Sequence, residues 1–273
     1  MTGISYLPTR ARTDGNNAPS AELSNAAAVT SVATAVRDSG STVPELQACV
    51  KLLSKIDRPD SDKLLVAALA DLVARPKAAN GMWSHLSELE LDVVEAASRR
   101  NTERMAELLG YYREIEKQTS ANDPLTLFKP AQRGGNAANG RSIFSGHRKA
   151  QCLRCHKVNG LGGDAGPDLS KVAKRSEGDR RFLLESLINP HAKLAKGYGT
   201  ITAVLEDGKV ISGTVDSESE TTLVLRTSEG RLREILVSEI EQRVKPKSPM
   251  PPVGDVLTLR ELRDVIEYLS TLR

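Results

Sequence analysis

Aromatic side chains are scarce, at 3% of the 273 residues, with a single Trp. Leu, Val and Ala must therefore fill much of any interior. Cysteine is nearly absent: three residues cannot build the disulfide framework of a small secreted scaffold. No apolar run is long enough to cross a membrane as a helix. The N-terminal stretch lacks the basic start, apolar segment and cleavage site of a secretory signal. Nor is there a long basic run of the kind that makes a nucleic-acid arm. The net charge is only +3 and the pI about 8.7, with Lys and Arg scattered. What remains is an ordinary globular composition, 39% hydrophobic, long enough for two or three domains.

Two of the three cysteines fall in one pentapeptide, Cys152-Leu153-Arg154-Cys155-His156. C-x-x-C-H is the attachment signature of c-type haem. Thiols three residues apart on a helical turn reach the two vinyl groups of one porphyrin. The His that follows offers its imidazole to the iron as proximal ligand. A bare C-x-x-C also serves thiol redox chemistry or half a zinc site. Zinc needs a second ligand pair, and Cys49 is the only other cysteine. A thioredoxin-like motif belongs in a βαβ pattern, and none surrounds this one. One covalent haem c is the expected cofactor, with Cys152 and Cys155 as thioether donors and His156 on the iron. Pro167, in Gly166-Pro167-Asp168-Leu169, stands where its carbonyl can accept from the other imidazole nitrogen and fix the tautomer.

Residues 1–42, rich in Ala, Ser, Thr, Asn and Gly, read as mostly disordered, with a weak helix at best over Ala21–Val36. From 43 to 120 the period is helical. Pro44 fits a first helical position, Ser61 or Asp62 caps a second helix, Ser84 starts a third and Thr102 caps a fourth. Short links between them predict a helical bundle or HEAT-like pairs. Residues 121–137, with Asn122-Asp123-Pro124 and Arg133-Gly134-Gly135, read as a linker. Trp83 and His85 lie in the helical region, where His85 reads as structural, and Cys49 reads as a small buried apolar residue.

The segment 138–273 carries the signature, then a helix capped by Asp179 and ended by Asn189-Pro190. His147 and His191 read as turn and loop residues, with His191 the rival for a sixth iron ligand. At Tyr198 the period switches to alternation. Asp207-Gly208 signals a hairpin, and four or five short strands through Val244 predict a small antiparallel barrel or curled sheet. Ser248-Pro249-Met250-Pro251-Pro252 follows, then a last helix with Thr258 and Glu261 as its capping box. The fold class is thus mainly α with a small β insert.

This layout resembles class I cytochrome c. Gly140 and Phe144 match that family's small and aromatic positions on the first helix. Val265 and Tyr268 match the crossing positions on the last helix, and Met250 matches the distal thioether ligand. Met250 stands 94 positions after His156, and 47 of these belong to the β-rich stretch 198–244, which reads as an insert. With that insert, the order of motifs resembles the C-terminal haem-binding domain of large exported planctomycete and verrucomicrobial proteins. The resemblance is close over 138–273 and loose over 43–120. It implies a C-terminal portion of a longer, extracytoplasmic chain, with a redox partner protein or a fused upstream dehydrogenase, and no nucleic acid.

One-electron transfer through a haem with His156 and Met250 as axial ligands is the expected function, and no catalytic residue is assigned. Lys171, Lys174, Arg175, Lys193, Lys196, Lys245 and Lys247 are candidates to steer an acidic partner. Two alternatives stay open. Without Met250 on the iron, the site would suit a peroxidase-like or gas-binding haem enzyme, although no distal His–Arg arrangement is evident. Haem could also be structural in an interaction scaffold.

Overall fold

Apolar residues at three- and four-residue steps dictate the first layer of the molecule. In the computed structural model, which describes residues 18–38, 40–74, 85–195 and 198–273, five helices share one aliphatic core. They are α1 (Ala18–Ala35), α2 (Val43–Leu53), α3 (Pro59–Val73), α4 (Leu86–Ser98) and α5 (Glu103–Ser120). Leu46, Leu53, Leu65, Leu69, Leu89 and Met105 are its fully buried side chains. Thr102 caps α5 as expected, accepting from the Met105 N–H. The start of α3 differs from expectation: Arg58 is the cap, Pro59 opens the helix, and Ser61 is buried inside its first turn. Proline at a first helical position lacks only an N–H that would have had no helical partner. The proposed start at Ser84, and Trp83, lie outside the described residues. His85 precedes α4 with φ of 55°, a left-handed start. Cys49 is half-buried against the core, and burial pushes its thiol pKa up.

Two longer stretches also depart from the sequence expectation. The disordered reading of residues 1–42 does not hold from Ala18 onward. α1 is a helix there, and Val29, Val32 and Val36 are buried against α2 and α3. Low-propensity Ser and Thr are overridden by that valine stripe, because helix stability in proteins comes mainly from packing an apolar face. The linker reading of 121–137 fails for the same reason. Pro124–Ala131 is a 3₁₀ helix, with Asp123 accepting from the Leu125 N–H at its start. Leu125, Pro130 and Ala131 are buried, and this segment packs against α4, α5 and the two helices α9 (Arg180–Ile188) and α10 (Leu259–Thr271).

The second core belongs to the C-terminal half. α6 (Ala137–Gly146) crosses α10. At the crossing, a Cβ on Gly140 would stand 1.8 Å from the Asp264 carbonyl oxygen, so only glycine allows this approach. Phe144 and Tyr268 meet beside it, with ring centroids 5.6 Å apart and planes tilted by 56°. Such a tilted pair suits the aromatic quadrupoles better than a face-to-face stack. Between these helices run α7 (Cys152–Cys155), the two-residue strands β1 (Lys157–Val158) and β2 (Leu161–Gly162), α8 (Val172–Arg175) and α9. Asp179 caps α9, and Thr258 with Glu261 forms the expected capping box on α10.

Between α9 and α10 lies an antiparallel sheet: β3 (Thr200–Leu205), β4 (Val210–Glu218), β5 (Thr222–Arg226), β6 (Leu232–Leu236) and β7 (Ile240–Lys247). Their order, β6-β5-β4-β3-β7, leaves β6 and β7 as edges of an open sheet. Ile201, Ala203, Leu223, Leu225 and Ile235 form its own small core. The first and last strands meet at Thr200 and Lys247, so the chain enters and leaves the sheet at neighbouring points.

The two helical regions are joined by charge as well as by packing. Arg263 of α10 donates to Asp92 of α4 at 2.6 Å, with both side chains under a tenth exposed. Arg260 reaches Asp92 at 3.0 Å and Glu95 at 2.7 Å. Gln47 of α2 donates to the Gly134 carbonyl at 2.6 Å.

Candidate functional site

α7 is a single turn whose purpose is set by its side chains. It follows the Gln151 cap, which takes a left-handed φ of 46°, and the His156 N–H closes it on the Cys152 carbonyl at 2.9 Å. This turn puts Cys152 and Cys155 on neighbouring positions of one face. Both thiols are free; Cys152 is half-buried and Cys155 exposed. Burial pushes the Cys152 thiol pKa up, a backbone hydrogen bond partly opposes this, and the neighbouring Cys155 adds to the rise.

The His156 imidazole is held from two sides. Its Nδ1 lies 2.9 Å from the Pro167 carbonyl oxygen, the partner that the sequence suggested. Gly166 lies close against the ring: a Cβ there would fall 2.6 Å from Cε1 and 2.8 Å from Nδ1. The loop carrying both residues is pinned to α7 by the Gly166 N–H, which donates to the Cys155 carbonyl at 2.7 Å. With Nδ1 engaged as donor to a carbonyl, the proton is fixed there and the Nε2 lone pair is left bare. Nε2 has no hydrogen-bond partner among the described residues. A bare Nε2 beside two free thiols on one turn is the donor set that haem c requires. The residues present therefore fit that group. A zinc site is less well served, since no group of three or more His, Cys, Asp or Glu side chains among the described residues could hold a metal ion.

Met250 is half-buried and packs against the same apolar cluster as Cys152, Leu169 and Phe182. The structure thus gathers Cys152, Cys155, His156 and Pro167 on one turn and its neighbouring loop, and Met250 packs on the apolar cluster that Cys152 also joins. His147 closes the turn before α7. Its Nδ1 accepts from the Ala150 N–H at 3.0 Å, and its Nε2 is 3.7 Å from Glu261. His191 is exposed, and its Nδ1 accepts from the Ser248 N–H at 3.0 Å.

A cleft of about 390 Å³ opens beside α7, lined by Arg141, Phe144, Leu153, Leu161, Tyr268 and Leu272 among others. Neither His156 nor Met250 lines it, so it is not where axial ligands would converge. Among the candidate steering residues, Arg175 donates to the Asp168 carbonyl, and Lys193 pairs with Glu185 at 3.1 Å and lies over the Phe182 ring. Lys171 and Lys174 are exposed. Lys196 and the side chains of Lys245 and Lys247 lie outside what is described. Gly166 and the His191–Ser248 contact escaped the sequence reading. The first hides as an ordinary loop glycine; the second depends on a pairing across 57 positions.

Residues 137–204 match the model of the cytochrome c family. This stretch is a cytochrome c domain. It begins at α6, contains α7, His156 and Pro167, and ends inside β3, so Met250 and α10 lie beyond it. Such a domain implies covalently bound haem and points to an electron carrier. No curated protein matches the chain. No helix among the described residues is long and apolar enough to cross a membrane.

Proposed function

We propose that this protein carries single electrons through one haem c attached at Cys152 and Cys155, with His156 and Met250 as axial ligands. The observation that carries the reading is the His156 ring, oriented by Pro167 and Gly166 with Nε2 bare, one position after the two-thiol turn. Haem c, when bound, supplies a ferric–ferrous one-electron couple. The Pro167 carbonyl holds the His156 tautomer and raises the basicity of its ligating nitrogen. The Met250 thioether, a neutral soft donor, favours the ferrous state and raises the potential relative to a second imidazole. Leu169, Phe182 and the apolar residues of α9 and α10 limit water at the site. Lys171 and Lys174 are exposed charges that steer an acidic redox partner.

The wider setting follows from the resemblance. The domain is the haem module of a larger exported redox protein of the planctomycete and verrucomicrobial type, with the β3–β7 sheet as its insert. Its location is extracytoplasmic, where haem c is attached. Its electrons come from a partner protein or a fused upstream dehydrogenase.

The test is an optical spectrum of protein matured with a haem-attachment system, wild type beside Met250→Ala. A low-spin ferric spectrum with the weak long-wavelength sulfur-to-iron band, lost in the variant, is the expected result. A high-spin wild-type spectrum would overturn Met250 ligation and favour an open-site haem enzyme.

A further inference from the structure

The segment Ser248-Pro249-Met250-Pro251-Pro252-Val253 is poor in backbone donors. Proline has no N–H, so three of its six residues cannot donate at all. Ser248, Met250 and Val253 supply the only three main-chain N–H groups, and each has a partner. The Ser248 N–H donates to His191 Nδ1 at 3.0 Å. The Met250 N–H donates to the Ser248 hydroxyl oxygen at 3.1 Å. The Val253 N–H donates to the Leu187 carbonyl at 3.0 Å. One bond is internal, and the other two fasten the ends of the segment to α9 and the turn that follows it. Leu187 offers only main chain. His191 is therefore the one side chain through which these N–H groups hold the segment in place.

His191 is itself well mounted. The preceding Pro190 is buried, and the Ala192 N–H closes the turn on the Asn189 carbonyl at 3.0 Å. Lys193 ties the turn back to Glu185 of α9. On the far side, Ser248 follows directly on β7, whose Lys247 is paired with Thr200. The anchor sits where the sheet hands the chain back to the haem domain.

On the reading that Met250 is the sixth ligand, we infer that His191 is a positioning residue for it. Its imidazole, accepting at Nδ1, sets the height of Ser248 and, through the Ser248 hydroxyl, of the Met250 backbone. His191 does not touch the iron in this account. It determines how readily the Met250 sulfur is displaced.

The experiment is an optical titration of the matured ferric protein with imidazole, which competes for the sixth position. Wild type is compared with His191→Ala, His191→Phe and His191→Asn. His191 is exposed, so Ala opens no cavity; Phe keeps a ring and removes the acceptor; Asn keeps an acceptor. Losing one anchoring hydrogen bond is expected to tighten imidazole binding about tenfold in the Ala and Phe variants. The Asn variant should stay near wild type. A change that only loosened the fold would not be rescued by Asn. Should the Ala variant fail to mature, the Phe and Asn pair decides alone. A wild-type sulfur-to-iron band together with unchanged imidazole affinity in the Ala or Phe variant would overturn the role of His191 alone. A wild-type spectrum without that band would overturn Met250 ligation, and this inference with it.

Discussion

Gly166 bears directly on the His156 ring. The imidazole is pinned at Nδ1, so it cannot swing away from an added methyl group. Gly166→Ala is expected to overpack the contact and cost about 1–3 kcal/mol. Denaturant unfolding of the matured protein measures it, and an unchanged midpoint would show that the loop yields freely. Of the single-residue expectations, the one that the geometry reproduces is the Pro167 carbonyl at His156 Nδ1. Cys152, Cys155 and His156 are adjacent, so their relation is local, and Pro167 is near enough for its carbonyl to be placed. Gly166, one position away, was illegible because its constraint comes from packing against a ring, which composition does not record. His191 was legible only as a loop residue, since its partner lies in a segment fixed by the tertiary fold.

Among the elements, the loop from β2 to α8 holds the His156 ring. Asp168 organises it, accepting from the Ser170 hydroxyl at 2.5 Å and the Ser170 N–H at 2.8 Å. These bonds, the hydroxyl first, hold its carboxyl below the usual aspartate range, with Lys157 and Arg175 adding to the effect. A carboxyl lowered by folding stabilises the native state fully above its unfolded pKa, about 4 for aspartate. The contribution is lost as pH falls through the lower folded value. Asp168→Asn should therefore lower stability at neutral pH, with the gap to wild type closing as pH drops below about 4. Urea unfolding of both proteins across acid pH checks this; a gap independent of pH would remove the carboxylate from the account. Helices and strands with strong periodicity were read well, including the hairpin at Asp207-Gly208 and the caps of α5, α9 and α10. Besides the start of α3, the failures were α1 and the Pro124–Ala131 segment. In the latter two, weak local propensity is overruled by a few buried aliphatic residues.

For the molecule as a whole, the α4–α10 contact is the feature that sequence could not supply. Asp92 and Arg263 are 171 positions apart, and each looks like an ordinary surface charge in its own helix. Together they are buried, and Arg263 has no other acidic partner among the described residues. Asp92→Asn leaves that guanidinium unpaired and is expected to cost about 3–5 kcal/mol. Replacing both residues by Leu should recover much of the loss. Thermal unfolding of the three proteins provides the check, and a loss below about 1 kcal/mol would mark the pair as no stronger than a surface contact. The pairing also means that the C-terminal helix, which crosses α6 beside the haem signature, is held by the helical region before it. The function proposed for the molecule is one-electron transfer with His156 and Met250 on the iron. Potentiometric titration of the matured protein tests it most directly, wild type beside Met250→His. A reversible one-electron couple is expected, with a potential that falls when the thioether is replaced by imidazole. An irreversible couple, or a potential that the replacement leaves unmoved, would contradict it.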